Sequence, residues 1–440
     1  MAAGGLVGTR NLFEGLIPDP SWAFLELTQK QTNYATHGYH RYPAKFIPQL
    51  AARLIREYSV EGDLVVDPFM GSGTTLVEAK LLWRPSVGVD INPVAHLIAR
   101  AKIQAIEPKR LARALEHLAE RLSSPTQPSL FADSPLAPLA WMEASWHERL
   151  RYWFPETVLQ QLAQVQHAID TLNSEEERTF FNCALSHSLK TVSYWHDGSV
   201  KPMRKLQKRI PDVPTVFWRH VRKMVQGNRE FWSLLCKRDA LNVPALAYCK
   251  DARQLPVEDD SAALIVTSPP YVTSYEYADL HQLSALWFGW VSDLREFREG
   301  FIGRSNGVHH PPAAQGSSLA TQIVAQMSET NPRKAREVAL YFAEMLECFT
   351  EMRRVLRRGG YACIVIGNTH LCGVEIQNAQ VFAEQLQLLG FTLERVILRE
   401  IPSKILPRTR DKTTGKFAKT LEADYVAYPT EYILIARKTA

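Results

Sequence analysis

No run of apolar residues in this chain is long enough to cross a bilayer, which excludes a helical membrane span. Met1 to Gly5 is small and uncharged and no long apolar run follows, so no signal peptide is expected. None of the six cysteines (Cys183, Cys236, Cys249, Cys348, Cys363, Cys372) stands in a CxxC pair. Neither zinc nor a disulfide framework is therefore signalled, no metal is expected, and a reducing cytosol is the natural setting. A strong excess of either charge is also missing. The formal net charge is +5, mild but of the sign a nucleic-acid binder carries. Hydrophobic content of 46% and charged content of 22% are ordinary for a globular chain. With 440 residues, a core plus an inserted or appended domain is expected.

Two motifs carry the chemistry. Ala262-Ala263-Leu264-Ile265-Val266 reads as a buried parallel strand and runs into Thr267-Ser268-Pro269-Pro270-Tyr271. The prolines cannot donate backbone N–H groups and hold a short rigid turn. A hydroxyl stands before them and an aromatic ring after them, which suits a grip on a planar ring bearing an exocyclic amine. A Pro-Pro loop with an incidental tyrosine would look the same in isolation. The second motif makes it less isolated. Asp63 to Val66 reads as a strand, followed by Asp67-Pro68-Phe69-Met70-Gly71-Ser72-Gly73-Thr74-Thr75 and a helical pattern from Leu76 to Leu82. Strand, glycine-rich turn and helix form the nucleotide-cofactor arrangement of doubly wound sheets. The spacing is neither GxGxxG nor a P-loop, so no pyrophosphate cradle is implied. Ser86 to Asn92 is a further short strand. Its Asp90, next to Ile91, is placed to bind ribose hydroxyls, or to cap the helix that Pro93 begins.

Together these motifs resemble the DNA amino-methyltransferases, whose patterns are DPFxGSGT and (D/N/S)PP(Y/F/W); both occur here without departure. His40-Arg41-Tyr42-Pro43-Ala44-Lys45-Phe46-Ile47-Pro48 resembles the same family's cofactor-flanking segment, with Tyr42, Pro43 and Lys45 as its candidate contacts. The resemblance implies an α/β fold, a class I methyltransferase Rossmann-like sheet, mostly parallel with an antiparallel last strand. It implies S-adenosyl-L-methionine as cofactor, double-stranded DNA as substrate, a cytoplasmic, nucleoid-associated place, and a companion restriction endonuclease. It also implies methyl transfer to a base nitrogen of a flipped-out nucleotide. Methylation at carbon 5 of cytosine would need a cysteine that follows a proline in that other family, and no cysteine here does. Serine before Pro-Pro goes mostly with cytosine N4 and Asp or Asn mostly with adenine N6, so Ser268 points to N4. Adenine N6, an RNA methyltransferase and a non-catalytic DNA-binding protein are the competing readings.

Three regions are expected: 1–105 with the cofactor motifs, 106–242 as a helical insertion able to contact DNA, and 243–440 with the Pro-Pro motif and a closing hairpin. Ser123 to Pro138 reads as a linker. The cluster of Trp141, Trp146, Tyr152, Trp153 and Phe154 reads as helix-packing core. Tyr194-Trp195-His196 opens a basic stretch through Lys201, Arg204, Lys205, Lys208, Arg209, Arg219, Arg222, Lys223 and Arg229, where rings would stack on bases and cations meet phosphates. Ala245 to Asp251 is the third strand, and Asp251 can accept from the cofactor's adenine amine. A helix from Tyr277 to Trp290, a loop from Gly303 to Ser318 and a helix from Ala335 to Leu356 stopped by Gly359-Gly360 follow. Tyr361 to Asn368 is a strand, Val381 to Leu389 a helix, and Phe391 to Glu400 and Glu431 to Ala436 the last strands. The basic connection from Ile401 to Thr430 leaves the ligand-binding edge and is expected to face nucleic acid.

Overall fold

The computed structural model describes residues 12–43, 45–123, 144–272, 277–303, 315–401, 409–410, 425–426 and 430–439. Seven strands form its central sheet: β1 (Val65–Asp67), β2 (Ser86–Asp90), β3 (Ala245–Cys249), β4 (Ala262–Thr267), β5 (Leu356–Ile366), β6 (Phe391–Glu400) and β7 (Thr430–Lys438). Their order is β3-β2-β1-β4-β5-β7-β6. β1 to β5 run parallel, and β7 is antiparallel to both of its neighbours. The expected mostly parallel sheet with an antiparallel last strand is thus the fold observed.

The apolar runs of β1 and β4 are buried on both faces, as the centre of a covered parallel sheet requires, whereas the edge strands β3 and β6 are partly exposed. Val65, Leu264 and Val266 face one core with α1 (Pro48–Tyr58) and Trp22. Val66 and Ile265 face the other, among side chains of the long helix Pro332–Val355 and of Asn378–Leu388. This alternation is the period of two of a strand. Because β2 and β3 lie on one side of β1 and β4 and β5 on the other, the chain reverses direction of winding between β1 and β4. The carboxyl ends of those two strands therefore open a crevice.

Helix α2 (Thr74–Leu81) is buried along its whole length, charged residues included. Its Lys80 donates to the Val243 carbonyl (2.8 Å), and its Glu78 accepts from His37 (2.8 Å) and Tyr34. It is enclosed by α1, by the helix that follows β2, by the Tyr34–His37 segment and, from the insertion, by Phe231 and Leu235. After α3 (Pro93–Ile103) come α4 (Pro108–Ser123), α5 (Ala144–Trp153), α6 (Glu156–Asp170), α7 (Glu175–Leu189) and α8 (Val213–Lys237). They share one core with α3 and with α9 (Tyr277–Trp287), so they have no separate interior. Asn228 on α8 clips the entry to the exit, accepting from Ile106 N (3.0 Å) and donating to Ile106 O (2.7 Å). The insertion leaves from the far edge of the sheet but wraps back. Ser186 on α7 meets His40 (3.1 Å) and Ser284 (2.7 Å), and His220 on α8 meets the Tyr39 carbonyl (2.6 Å).

Several expectations are revised. β5 begins at Leu356, directly after the helix. The Gly359-Gly360 pair lies inside the strand, with Gly359 in the left-handed region (φ 79°), and no helix stop is made there. A side chain at Gly360 would meet the Ala263 carbonyl of β4 at 2.9 Å. The third strand ends at Cys249, two residues short of Asp251. Leu294–Glu299 and Ser318–Thr330 are helices that the sequence pattern did not announce. Trp153 and Phe154 are core residues as expected, whereas Tyr152 is 49% exposed. The linker from Ser123 to Pro138 and the Ile401–Thr430 connection lie largely outside the described residues.

Gly227 on α8 shows how closely the insertion is seated. A β-carbon there would collide with the Ala35 carbonyl and stand 3.0 Å from the Tyr39 ring. Gly227→Ala is expected to lower stability by about 1–3 kcal/mol, as overpacking does, with the shift read from urea unfolding.

Candidate functional site

Asp67 ends β1 and is 2% exposed. Its Oδ1 accepts from Thr267 Oγ1 (2.6 Å), at the end of β4, and from the Phe69 N–H (3.1 Å). Thr75 Oγ1 donates to the Val266 carbonyl (3.2 Å). The glycine-rich turn and the Pro-Pro turn are therefore tied side by side. Burial pushes the Asp67 carboxyl up to about 6, against the opposing hydrogen bonds of Thr267, Thr75 and Phe69. Asp90 ends β2 and accepts from the Gly71 N–H (3.0 Å) and the Asn92 N–H (2.9 Å). Burial pushes it up to about 7. It does not cap the following helix; Asn92 does, through Val94 N (3.0 Å). Gly73 takes φ 73° at the start of α2, where a β-carbon would stand 2.9 Å from that of Ala99. Its role is close helix packing.

These strand ends surround an open cleft of about 830 Å³, its mouth included. Tyr42, Lys45, Asp67, Pro68, Phe69, Gly71, Thr74, Asp90, Ile91, Asp251, Ser268 and Pro270 line it, so twelve sequence-predicted residues converge on one cavity. Pro43, Gly73, Thr75, Thr267, Pro269 and Tyr271 are not on its wall. Thr75 and Thr267 act beneath it, through the hydrogen bonds above. The Tyr271 ring lies over Gly367 at the end of β5, where a β-carbon would be 3.0 Å from it. The Pro270 carbonyl accepts from Tyr341 (2.7 Å).

Sequence reasoning missed Phe46, Met70, Ser72, Ala252, Tyr277, Gly300, Phe301 and Ile302 on the same wall. Phe46, Met70 and Ser72 sit inside quoted motifs and could have been taken with them. Tyr277 and Phe301 are brought in by tertiary packing alone. Tyr42 and Tyr277 stack with centroids 6.0 Å apart. The segment ending at Gly303 is held through its N–H to Glu344 (2.6 Å), which also binds Arg253 (3.0 Å). Arg253 in turn makes a fork on Asp251, at 2.6–3.1 Å. Burial would raise the Asp251 carboxyl, but the Arg253 hydrogen bonds and charge prevail and hold it below its usual value.

Three acids against Lys45 make the wall net negative, suited to a ligand carrying positive charge. Lys45 donates to the His37 carbonyl (2.9 Å), and burial lowers it to about 8. Thr74 Oγ1 is buried without a partner and needs one from a ligand or water. Apolar rings (Phe46, Phe69, Phe301) offer faces for a planar group. A cation with ribose hydroxyls and an aromatic base fits all of these. Among the described residues no group of three or more His, Cys, Asp or Glu could hold a metal ion, and no described helix is long and apolar enough to cross a membrane.

A family model described as DNA methylase, of the N6/N4 type, matches residues 14–101 and 262–440. The Type II methyltransferase M.MvaI of Kocuria varians is 25% identical over 432 residues, 93% of this chain and 94% of that one. M.BsoBI, a Type II methyltransferase of Geobacillus stearothermophilus, is 26% identical over 300 residues, 62% of this chain and 56% of the relative. A SAM-dependent methyltransferase structure from Methanosarcina mazei aligns over 88% of this chain and 96% of its own, at 10% identity and a TM-score of 0.29, too low to support any inference.

The raised acids make a test. A carboxyl whose folded pKa exceeds its unfolded value of about 3.9 holds its proton more tightly when folded. Its contribution to stability then falls as pH rises from about 4 to the folded value. Asp90→Asn removes that loss, so its stability relative to wild type should rise by about 2 kcal/mol between pH 5 and 8. Ligand-free urea unfolding at the two pH values measures it; an unchanged difference would refute the raised carboxyl.

Proposed function

The chain belongs to the N6/N4 DNA methylase family, and from that premise we propose that it methylates the exocyclic N4 of cytosine, in a base turned out of duplex DNA. It is a DNA methyltransferase, and its family uses S-adenosylmethionine as methyl donor. What supports the finer reading is that the residue before Pro-Pro is a serine, Ser268, and that it lies on the wall of the same cleft as Gly71 and Asp90.

The cofactor's sulfonium supplies an already activated methyl group. The protein's remaining work is positioning and charge. In this proposal Asp90 accepts from the ribose hydroxyls and Asp251 from the adenine amine. Lys45, Thr74 and the Gly71 turn meet the amino-acid end, while Phe69 and Ile91 face the rings. The cytosine amine is a poor nucleophile because its lone pair is delocalised into the ring. Acceptors on its hydrogens favour the pyramidal form and take up growing positive charge. Ser268 Oγ and the Pro269 carbonyl fill that role, since the Pro270 carbonyl is engaged by Tyr341. Tyr271, outside the cofactor cleft and at the flank of the turn, supplies the ring contact to the base. Thr267 holds the turn to Asp67. Base flipping is required because an amine inside a duplex cannot reach the turn.

Cytosine rather than adenine rests on the serine before Pro-Pro, by resemblance. A companion restriction endonuclease belongs to the same proposal, supported by relatives named Type II methyltransferases. Nucleoside mass spectrometry of DNA treated with the protein should show N4-methylcytosine; N6-methyladenine alone would replace this reading with the adenine one. Ser268→Ala should slow transfer about 100-fold with cofactor affinity within about twofold by calorimetry. Asp67→Ala should lose both, because it releases Thr267 and the Phe69 turn together; equal cofactor loss in the two variants would refute the division of roles.

A further inference from the structure

The basic stretch after α7 is not a plain solvated loop. Trp195 and Arg204 form an antiparallel bridge, with Lys205 N–H to the Tyr194 carbonyl and His196 N–H to the Met203 carbonyl, each at 2.8 Å. The result is a hairpin over residues 194–209. Two lysines hold it from inside. Lys208 donates to the carbonyls of Lys190 (3.1 Å) and Trp195 (2.9 Å) and to Asp197 (2.8 Å), and Lys190 donates to the Ser199 carbonyl (2.8 Å). Trp195 is 1% exposed and stacked on Trp153, so the expectation that this ring meets a base is overturned. Lys208, counted among phosphate contacts from the sequence, is internal as well.

What the hairpin turns outward is different. Met203 is 53% and Leu206 57% exposed. Around them Lys201, Lys205 and Arg209 are exposed, with no ion-pair partner among the described residues. Arg204 lies over the rings of Tyr152 (4.3 Å) and Tyr194 (5.1 Å), which stiffens the base of the hairpin. Two exposed apolar side chains among unpaired cations match a partner that is both anionic and able to receive an apolar wedge. Duplex DNA is such a partner, because unstacked base steps accept apolar side chains while phosphates take the cations. The location fits. Arg41, next to cleft-lining Tyr42, donates its N–H to His187 (3.4 Å), and Lys190 stands one helical turn beyond His187.

We propose that the hairpin 194–209 is a DNA-contacting wedge, with Met203 and Leu206 entering a base step near the target and Lys201, Lys205 and Arg209 on the flanking phosphates. It rests on the DNA-methylating reading above for its setting, but its charge test does not. The variant Lys201→Ala/Lys205→Ala/Arg209→Ala should lower the slope of log affinity against log salt by about three on a short random-sequence duplex, by fluorescence anisotropy. An unchanged slope overturns the phosphate surface. Met203→Ser/Leu206→Ser should keep the slope and lose about tenfold or more of methyl transfer to plasmid duplex; unchanged transfer overturns the wedge. Cofactor affinity, by calorimetry, should stay as in wild type for both, and its loss in either would make the hairpin a fold element and overturn the assignment. A wild type that methylates no DNA would refute the proposed reaction and leave the slope comparison decisive for the surface.

Discussion

The hydrogen bond from Thr267 to Asp67 is the contact on which the site depends. It joins the last residues of β1 and β4, the two strands between which the winding of the sheet reverses. Every other feature of the cleft is placed relative to that pair. The glycine-rich turn leaves from Asp67, the Pro-Pro turn from Thr267, and the Asp90–Gly71 bond draws the end of β2 against the first of them. A buried carboxylate is costly to hold ionised. Here N–H and O–H donors offset only part of that cost, so the carboxyls of Asp67 and Asp90 stay raised, while the same bonds fix the geometry of the wall.

The second constraint is enclosure. A glycine-rich turn followed by a wholly buried helix can exist only if something covers the outer face of that helix. α1, α3 and the end of α8 do so, and α7 and α8 of the insertion return to the segment holding Tyr39 to Arg41. The cleft wall at Tyr42 and the insertion are thereby built from adjoining pieces of one core. The hairpin at 194–209 lies between the two helices that hold Tyr39, His40 and Arg41.

The strands at Ala262 and Phe391 and the two central motifs were legible in the sequence because their cues are local. An apolar run ends in Pro-Pro, and a strand ends in glycines before a helix. Helix limits near glycine were less legible. Gly359 and Gly360 read as a stop, yet they serve a strand that needs a left-handed residue and a close approach to Ala263. Trp195 and Lys208 were misread for a related reason. A ring or a cation looks the same in sequence whether it faces solvent or fills a hairpin's interior.

By itself the sequence determined the sheet-forming runs, the glycine-rich turn after β1, the Pro-Pro turn after β4 and the family they mark, because each rests on the conformational limits of a few adjacent residues. Only the tertiary structure decided that twelve of the predicted residues share one cleft while six support it or flank it, that Tyr277 and Phe301 join the wall, and that Met203 and Leu206 are the hairpin's outward face. Those outcomes depend on which surfaces meet across hundreds of residues, and burial is a property of the meeting and not of the residue.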